Sequence, residues 1–208
     1  VFTITPAAPA DVRAIADVLA EAFQTDTVVA AATGRRRPDV PRLAALFRPL
    51  VRAGALRHGR VDLARDTTDG SILGVALWEA PAAGSHLLTQ AAELPAFLRA
   101  LGLRGLLRAA RSQAVLASFR PAAPHWYLAQ IGVSARARGA GVGSALLASR
   151  LEALDATHEA AYLESSNERN RSLYLRNGFA TIATIGGIPG VEPAGMWRAP
   201  NPDRLAAV

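Results

Sequence analysis

The stretch Ile131-Gly132-Val133-Ser134-Ala135-Arg136-Ala137-Arg138-Gly139-Ala140-Gly141-Val142-Gly143-Ser144 constrains this chain more than any other. An apolar, aromatic run from His125 to Val133 precedes its glycines, and Leu147, Leu151 and Leu154 follow them, four and three residues apart. The first pattern suits a buried strand and the second a helix from Ser144 to about Leu154, so the glycines join strand to helix. Such a junction is suited to anions. Without side chains the backbone can wrap a phosphate, and the unpaired N–H groups at a helix N-terminus point at it along the favourable end of the helix dipole. Arg136 and Arg138 add charge that can pair with phosphate oxygens. A glycine-rich turn alone is also compatible with nothing more than a tight bend.

Three phosphate-binding patterns compete for the segment. A Walker-type loop needs Lys followed by Ser or Thr after its last glycine, and all 23 basic residues here are arginine, so that chemistry is excluded. A dinucleotide fingerprint needs glycines at its first, third and sixth positions. Counted from Gly139 the sixth is Ser144, and from Gly141 it is Leu146, so the spacing fails. What remains is Arg-x-x-Gly-x-Gly, present as Arg138, Gly141 and Gly143.

The rest of the chain alternates strands and helices in a way that predicts one mixed α/β domain over its 208 residues. Phe2–Thr5 reads as an edge strand, and Asp11–Phe23 as a helix with Ile15, Val18, Leu19 and Ala22 on one face. Leu43–Ala53 reads as a second helix, with Pro49 bending it. Arg60–Asp66 and Ile72–Trp78, joined by Asp69-Gly70, read as a β-hairpin. Residues 81–120 supply Leu/Ala/Arg helices broken by Pro81, Gly84, Pro95, Gly102 and Gly105, a helical insertion or lid. Downstream come a strand over Ala160–Glu164 and a helix over Glu168–Asn177 capped by Gly178. Strands over Phe179–Ile185 and Ala194–Arg198 follow.

Leu163-Glu164-Ser165-Ser166-Asn167, then Leu173-Tyr174 and Gly178-Phe179, complete a second motif. An asparagine seven residues before a helix tyrosine, with Gly-Phe four residues beyond it, resembles the closing motif of the GNAT acetyltransferase superfamily, and Arg138-x-x-Gly141-x-Gly143 resembles its pyrophosphate loop. The two motifs and the strand between them span residues 124–185. More loosely, the hairpin, the His125-Trp126-Tyr127-Leu128 strand and the insertion are similar to the puromycin N-acetyltransferase branch.

The resemblance implies a mostly antiparallel, twisted sheet flanked by helices, whose central strands splay to admit the pantetheine arm of acetyl-coenzyme A. Carried over residue by residue, Ile131, Gly132 and Val133 would offer backbone groups to the thioester and pantetheine. Arg138, Gly139, Ala140, Gly141, Val142, Gly143 and Ser144 would hold the pyrophosphate. Gly132 fits a bulge where a ligand backbone comes close. The Ile131 amide would stabilise the oxyanion, and Tyr174 would protonate the leaving thiolate, unless its ring merely packs in the core. Asn167 would orient the cofactor, cap the helix that follows, or do both.

The attacking amine must lose a proton to a general base or a water chain. Glu164 at a strand end near the motif, Glu79, Glu21, Asp26 and His125 are all candidates, among which the sequence does not decide. Trp78, Glu79, Trp126 and Tyr127 would line the acceptor pocket. The expected activity is acetyl-coenzyme A-dependent N-acetylation of a small-molecule amine by direct attack. A protein or peptide N-terminal acetyltransferase and a non-catalytic coenzyme A sensor are the alternatives. Cysteine is absent, which removes thiolate chemistry, and no metal is expected. The net charge of +6 comes from scattered arginines without an aromatic platform, and the run Arg35–Arg37 reads as a solvated loop, so no nucleic-acid partner is expected. No run is long and apolar enough to span a membrane. With no secretion signal at Val1–Pro6, the expectation is a cytoplasmic monomer or homodimer.

Overall fold

The computed structural model describes residues 1–81 and 87–200. A seven-stranded sheet in the order β1-β2-β3-β4-β5-β7-β6 forms the middle layer. Its strands are β1 Phe2–Pro6, β2 Gly59–Asp66, β3 Ile72–Glu79, β4 Trp126–Val133, β5 Ala161–Ser165, β6 Ala180–Thr184 and β7 Ala194–Arg198. Every neighbouring pair is antiparallel except β4 and β5. The helices are α1 Val12–Ala22, α2 Thr27–Thr33, α3 Val40–Ala53, α4 Ala55–His58, α5 Leu87–Ala92, α6 Leu94–Ser118, α7 Val142–Ala156 and α8 Glu168–Arg176. Among the described residues no helix is long and apolar enough to cross a membrane.

Strand alternation sends side chains to two separate cores. On one face, Leu146, Leu147, Leu151 and Leu154 of α7 pack on Trp78, Leu128, Leu163 and Met196, with Tyr174 of α8 and Phe179 beside them. On the other face, Ile15 and Leu19 of α1 and Leu43, Phe47 and Val51 of α3 pack on Leu63, Val75 and Leu77. Glycine permits two close approaches of helix to sheet. A Cβ on Gly74 would lie 2.6 Å from Val142 Cγ1 of α7, and one on Gly132 would lie 2.9 Å from Ala22 Cβ of α1.

The structure adds and corrects several elements. α2 was not expected. It is capped by Asp26, whose Oδ1 accepts from the Val29 amide at 2.9 Å, and it ends at Gly34 in the left-handed region, φ 68°. The helix read from Leu43 begins three residues earlier, where the Asp39 carboxylate accepts from the Arg42 amide. Within the insertion, Gly102 leaves the helical region at φ 66° and ψ 172°, and Pro95 sits in the first turn of α6, where a missing N–H costs nothing. Gly105, expected to break the helix, lies buried inside it. The expected break at Gly84 lies outside the described residues. α6 packs against α2 and α3, and its last turn is anchored by Leu116 on Ile185 and Ile188.

Candidate active site

β4 and β5 are parallel neighbours for only three residue pairs, Trp126 with Ala161, Tyr127 with Tyr162 and Leu128 with Leu163. Beyond these, β4 pairs only with β3 and β5 only with β7, so the sheet opens along its middle. The opening starts at an irregularity. Leu77 faces Gln130 and Trp78 faces Leu128, which leaves Ala129 as the extra residue of a bulge that bends β4 away. The bulge expected at Gly132 is therefore at Ala129. Gly132 itself is in register with Val75, and the space its missing side chain leaves is used by α1.

β4 leads into a single 3-10 turn at Ala135–Ala137 and then into the glycine loop. Gly139 and Gly141 have φ of 82° and 77°. No atom would crowd a Cβ at either position, so what they supply is left-handed backbone. Gly141 is the N-cap of α7 and brings no side chain to cover the helix end. Ala145 donates the first N–H of the ladder, to the Gly141 carbonyl at 3.0 Å. Among the described residues the amides of Val142, Gly143 and Ser144 donate to no protein group. An open helix N-terminus of this kind fits an anionic group. Arg138 is exposed beside it. Arg136, also exposed, turns to the β2–β3 turn, where its guanidinium bonds Ser71 and lies 3.7 Å from Asp69.

Tyr174 enters from α8 on the α7 side of the sheet, 5% exposed, with its ring edge-on to Phe179 at 6.0 Å. Burial, reinforced by the Asp26 carboxylate, raises its phenol well above the ordinary value, so it stays protonated at neutral pH. Asn167 caps α8, its Oδ1 accepting from the Asn170 amide at 2.8 Å.

Glu164, next along β5 after Leu163, points to the opposite face. Its side chain is 7% exposed. Oε2 accepts from the Tyr127 hydroxyl at 2.5 Å and Oε1 from Arg120 Nε at 3.2 Å. The Arg120 guanidinium also lies 3.6 Å from the Tyr127 ring centroid, and Tyr162 stacks beside Tyr127 at 6.3 Å. Burial pushes the Glu164 carboxyl up, opposed by Arg120 and by the Tyr127 hydrogen bond, while Glu79 adds to the rise.

Three of the other proton-acceptor candidates are engaged elsewhere. Glu21 Oε2 accepts from the Ala135 amide at 3.1 Å. Asp26, besides capping α2, accepts from the Ser166 hydroxyl at 2.5 Å and so ties the α1–α2 connection to the β5–α8 loop. His125 Nδ1–H donates to the Ala123 carbonyl, and the ring packs edge-on against Tyr162 and Trp197. The four expected pocket residues divide. Glu79 and Tyr127 lie on the Glu164 face. Trp78 is fully buried under α7, and Trp126 packs on the same core with Arg150 over its ring, so Trp78 is not a pocket wall.

The sequence reading missed Arg120 and Ser166. Each reaches its partner across a long stretch of chain; Ser166 lies within the second motif, but nothing local to either residue marks its partner.

The structure thus brings together a parted parallel strand pair, an open helix N-terminus past the end of β4 and, in the core under that helix, a buried phenol. Its likeness to known proteins makes it an acyltransferase of the acetyl-transferring class. The model of the Acetyltransferase (GNAT) family matches residues 105–179. A crystal structure from Corynebacterium glutamicum, described as histone acetyltransferase HPA2 and related acetyltransferase, is 35% identical over 96% of this chain and 97% of its own, with a TM-score of 0.73. This chain belongs to the GNAT family of acetyltransferases. Arylalkylamine N-acetyltransferase 2 from Aedes aegypti shares the fold at 16% identity and a TM-score of 0.62, covering 96% of this chain and 99% of that one. The ribosomal-protein-S18-alanine N-acetyltransferase of Escherichia coli does so at 14% and 0.55, covering 97% and 95%.

Proposed function

We propose that this protein transfers the acetyl group of acetyl-coenzyme A to the amine of a small molecule by direct attack within a ternary complex. The observation that carries the reading is the opening between β4 and β5, with free α7 amides at its mouth, Tyr174 on one side and Glu164 on the other. The amides of Val142, Gly143 and Ser144, with Arg138 near them, hold the pyrophosphate, and the free edge of Ile131–Val133 aligns the pantetheine arm. When bound, acetyl-coenzyme A supplies an activated thioester.

The chain's own residues move the protons and orient the acceptor. The Tyr174 phenol donates to the departing sulfur, and the Ile131 amide stabilises charge on the carbonyl oxygen. Glu164 takes the proton of the attacking amine, directly or through one water. Tyr127 and Glu79 border the acceptor.

Release of free thiol from acetyl-coenzyme A, screened over alkylamines, polyamines, aminonucleosides and peptide N-termini, tests the activity and its acceptor. The loose likeness to the puromycin branch makes aminonucleosides a first choice. Tyr174→Phe is expected to lower kcat about a hundredfold or more with little change in acetyl-coenzyme A affinity. Equal turnover would remove the phenol from the mechanism. Cofactor binding with no accepted amine would favour a sensor.

A further inference from the structure

Arg120 lies just past α6, and its place is set by the fold. Its amide donates to Ala117 as the helix ends, and Leu116, buried against Ile185 and Ile188, fixes that last turn. From there the side chain meets two strands at once. It lies over the Tyr127 ring of β4 and bonds Glu164 of β5, where the two strands begin to part. A planar guanidinium can stack and pair at the same time, and an ammonium cannot.

We propose that Arg120 is a positioning residue for acetyl transfer, holding the Glu164 carboxylate as a fixed anion at the opening between β4 and β5. The inference rests on the reading of Glu164 as proton acceptor and extends it to a residue supplied by the insertion. Three features support it. The Tyr127 hydroxyl occupies one oxygen of Glu164 and Arg120 the other, so the carboxylate is held at both ends. The groups facing Glu164 are Arg120, Tyr127, Tyr162 from its own strand and Glu79 from β3, and Arg120 is the only cation among these. Burial and Glu79 both favour the protonated carboxyl, and Arg120 opposes them. Without Arg120, Glu164 would hold its proton to higher pH and lose half of its anchoring.

The sign of the effect follows. A proton acceptor works when deprotonated, so kcat/KM falls as pH drops through its pKa. Removing a cation in contact raises that pKa by about one unit or more, and the acid limb moves to higher pH. The test is the pH profile of kcat/KM for one accepted amine with wild type, Arg120→Gln, Arg120→Lys and Glu164→Gln. The acceptor's own ionisation is common to all four, so the differences between profiles are what count. Arg120→Gln is expected to shift the acid limb upward by about one unit, with Arg120→Lys falling between it and wild type and Glu164→Gln removing the limb. If Glu164→Gln removes the limb and Arg120→Gln leaves it in place, Arg120 has no positioning role while Glu164 keeps its own. If Glu164→Gln retains the wild-type limb, the proton-acceptor reading falls and this inference with it. Arg120→Lys, which keeps the charge, supplies the comparison should Arg120→Gln fold poorly, and a wild-type profile in it would then overturn the need for stacking and pairing together.

Discussion

Replacing Gly132 by alanine sets two effects of opposite sign against each other at the point where β4 meets α1. Gly132 is not at positive φ, so its backbone accepts an alanine, which in a strand is favoured over glycine by roughly 0.5–1 kcal/mol. The added methyl, however, would lie 2.9 Å from Ala22 Cβ and 3.2 Å from Leu19 Cδ2. Leu19 can rotate its end away, but Ala22 Cβ moves only with its helix. Overpacking of this kind costs about 1–3 kcal/mol, so the steric effect wins and a net loss of about 1–2 kcal/mol is expected. At about 2–4 °C per kcal/mol for a chain of this size, Tm should fall by roughly 2–8 °C in a thermal melt followed by circular dichroism. Ala22→Gly in the same chain removes the closest contact. Since Ala22 is the last residue of α1, the glycine there costs at most about 1 kcal/mol, and the double variant should lie nearer to wild type than additivity allows. An unchanged or higher Tm for Gly132→Ala would refute the packing argument.

Two further outcomes are expected. Gly141→Ala meets no neighbouring atom, but its left-handed backbone costs an alanine roughly 1–2 kcal/mol. Stability should fall by that amount, and acetyl-coenzyme A affinity, measured by calorimetry, should fall as the α7 amides are re-aimed. Unchanged affinity at lower stability would show that those amides do not face the cofactor. Asp155 and Arg198 form a buried bidentate pair at 2.6 and 2.7 Å, so Asp155→Ala, which leaves a buried cation, should cost about 3–5 kcal/mol. Replacing both by apolar residues should recover most of the loss in a denaturant titration, and a small loss in the single variant would show that water reaches Arg198.

Much of this architecture is legible in the sequence because the glycine loop ties strand, turn and helix to one order, and because α1 and α7 carry clear helical spacing. α2 was missed for a reason. It spans seven residues and opens Thr27-Val28-Val29, a β-branched run that speaks against helix, while its signals lie outside it at Asp26 and Gly34. Grouping Trp78 and Trp126 with Glu79 and Tyr127 in one pocket ran against a simple rule. Trp78 and Glu79 are adjacent in one strand, as are Trp126 and Tyr127 in another, so neither pair can face one pocket. The bulge at Ala129 leaves no mark, because this kind of extra residue needs no special side chain. The meeting of Arg120 with Glu164, 44 residues apart, depends on how α6 docks, which no local pattern records.

The sheet acts as a partition wall with one window. Tyr174 and the α7 amides occupy the room on one side, Glu164, Tyr127 and Glu79 the room on the other, and the two rooms have separate furniture packed on separate supports. On the function proposed above, a lineage can therefore refit the room around Glu164 for a new guest without disturbing the room around Tyr174.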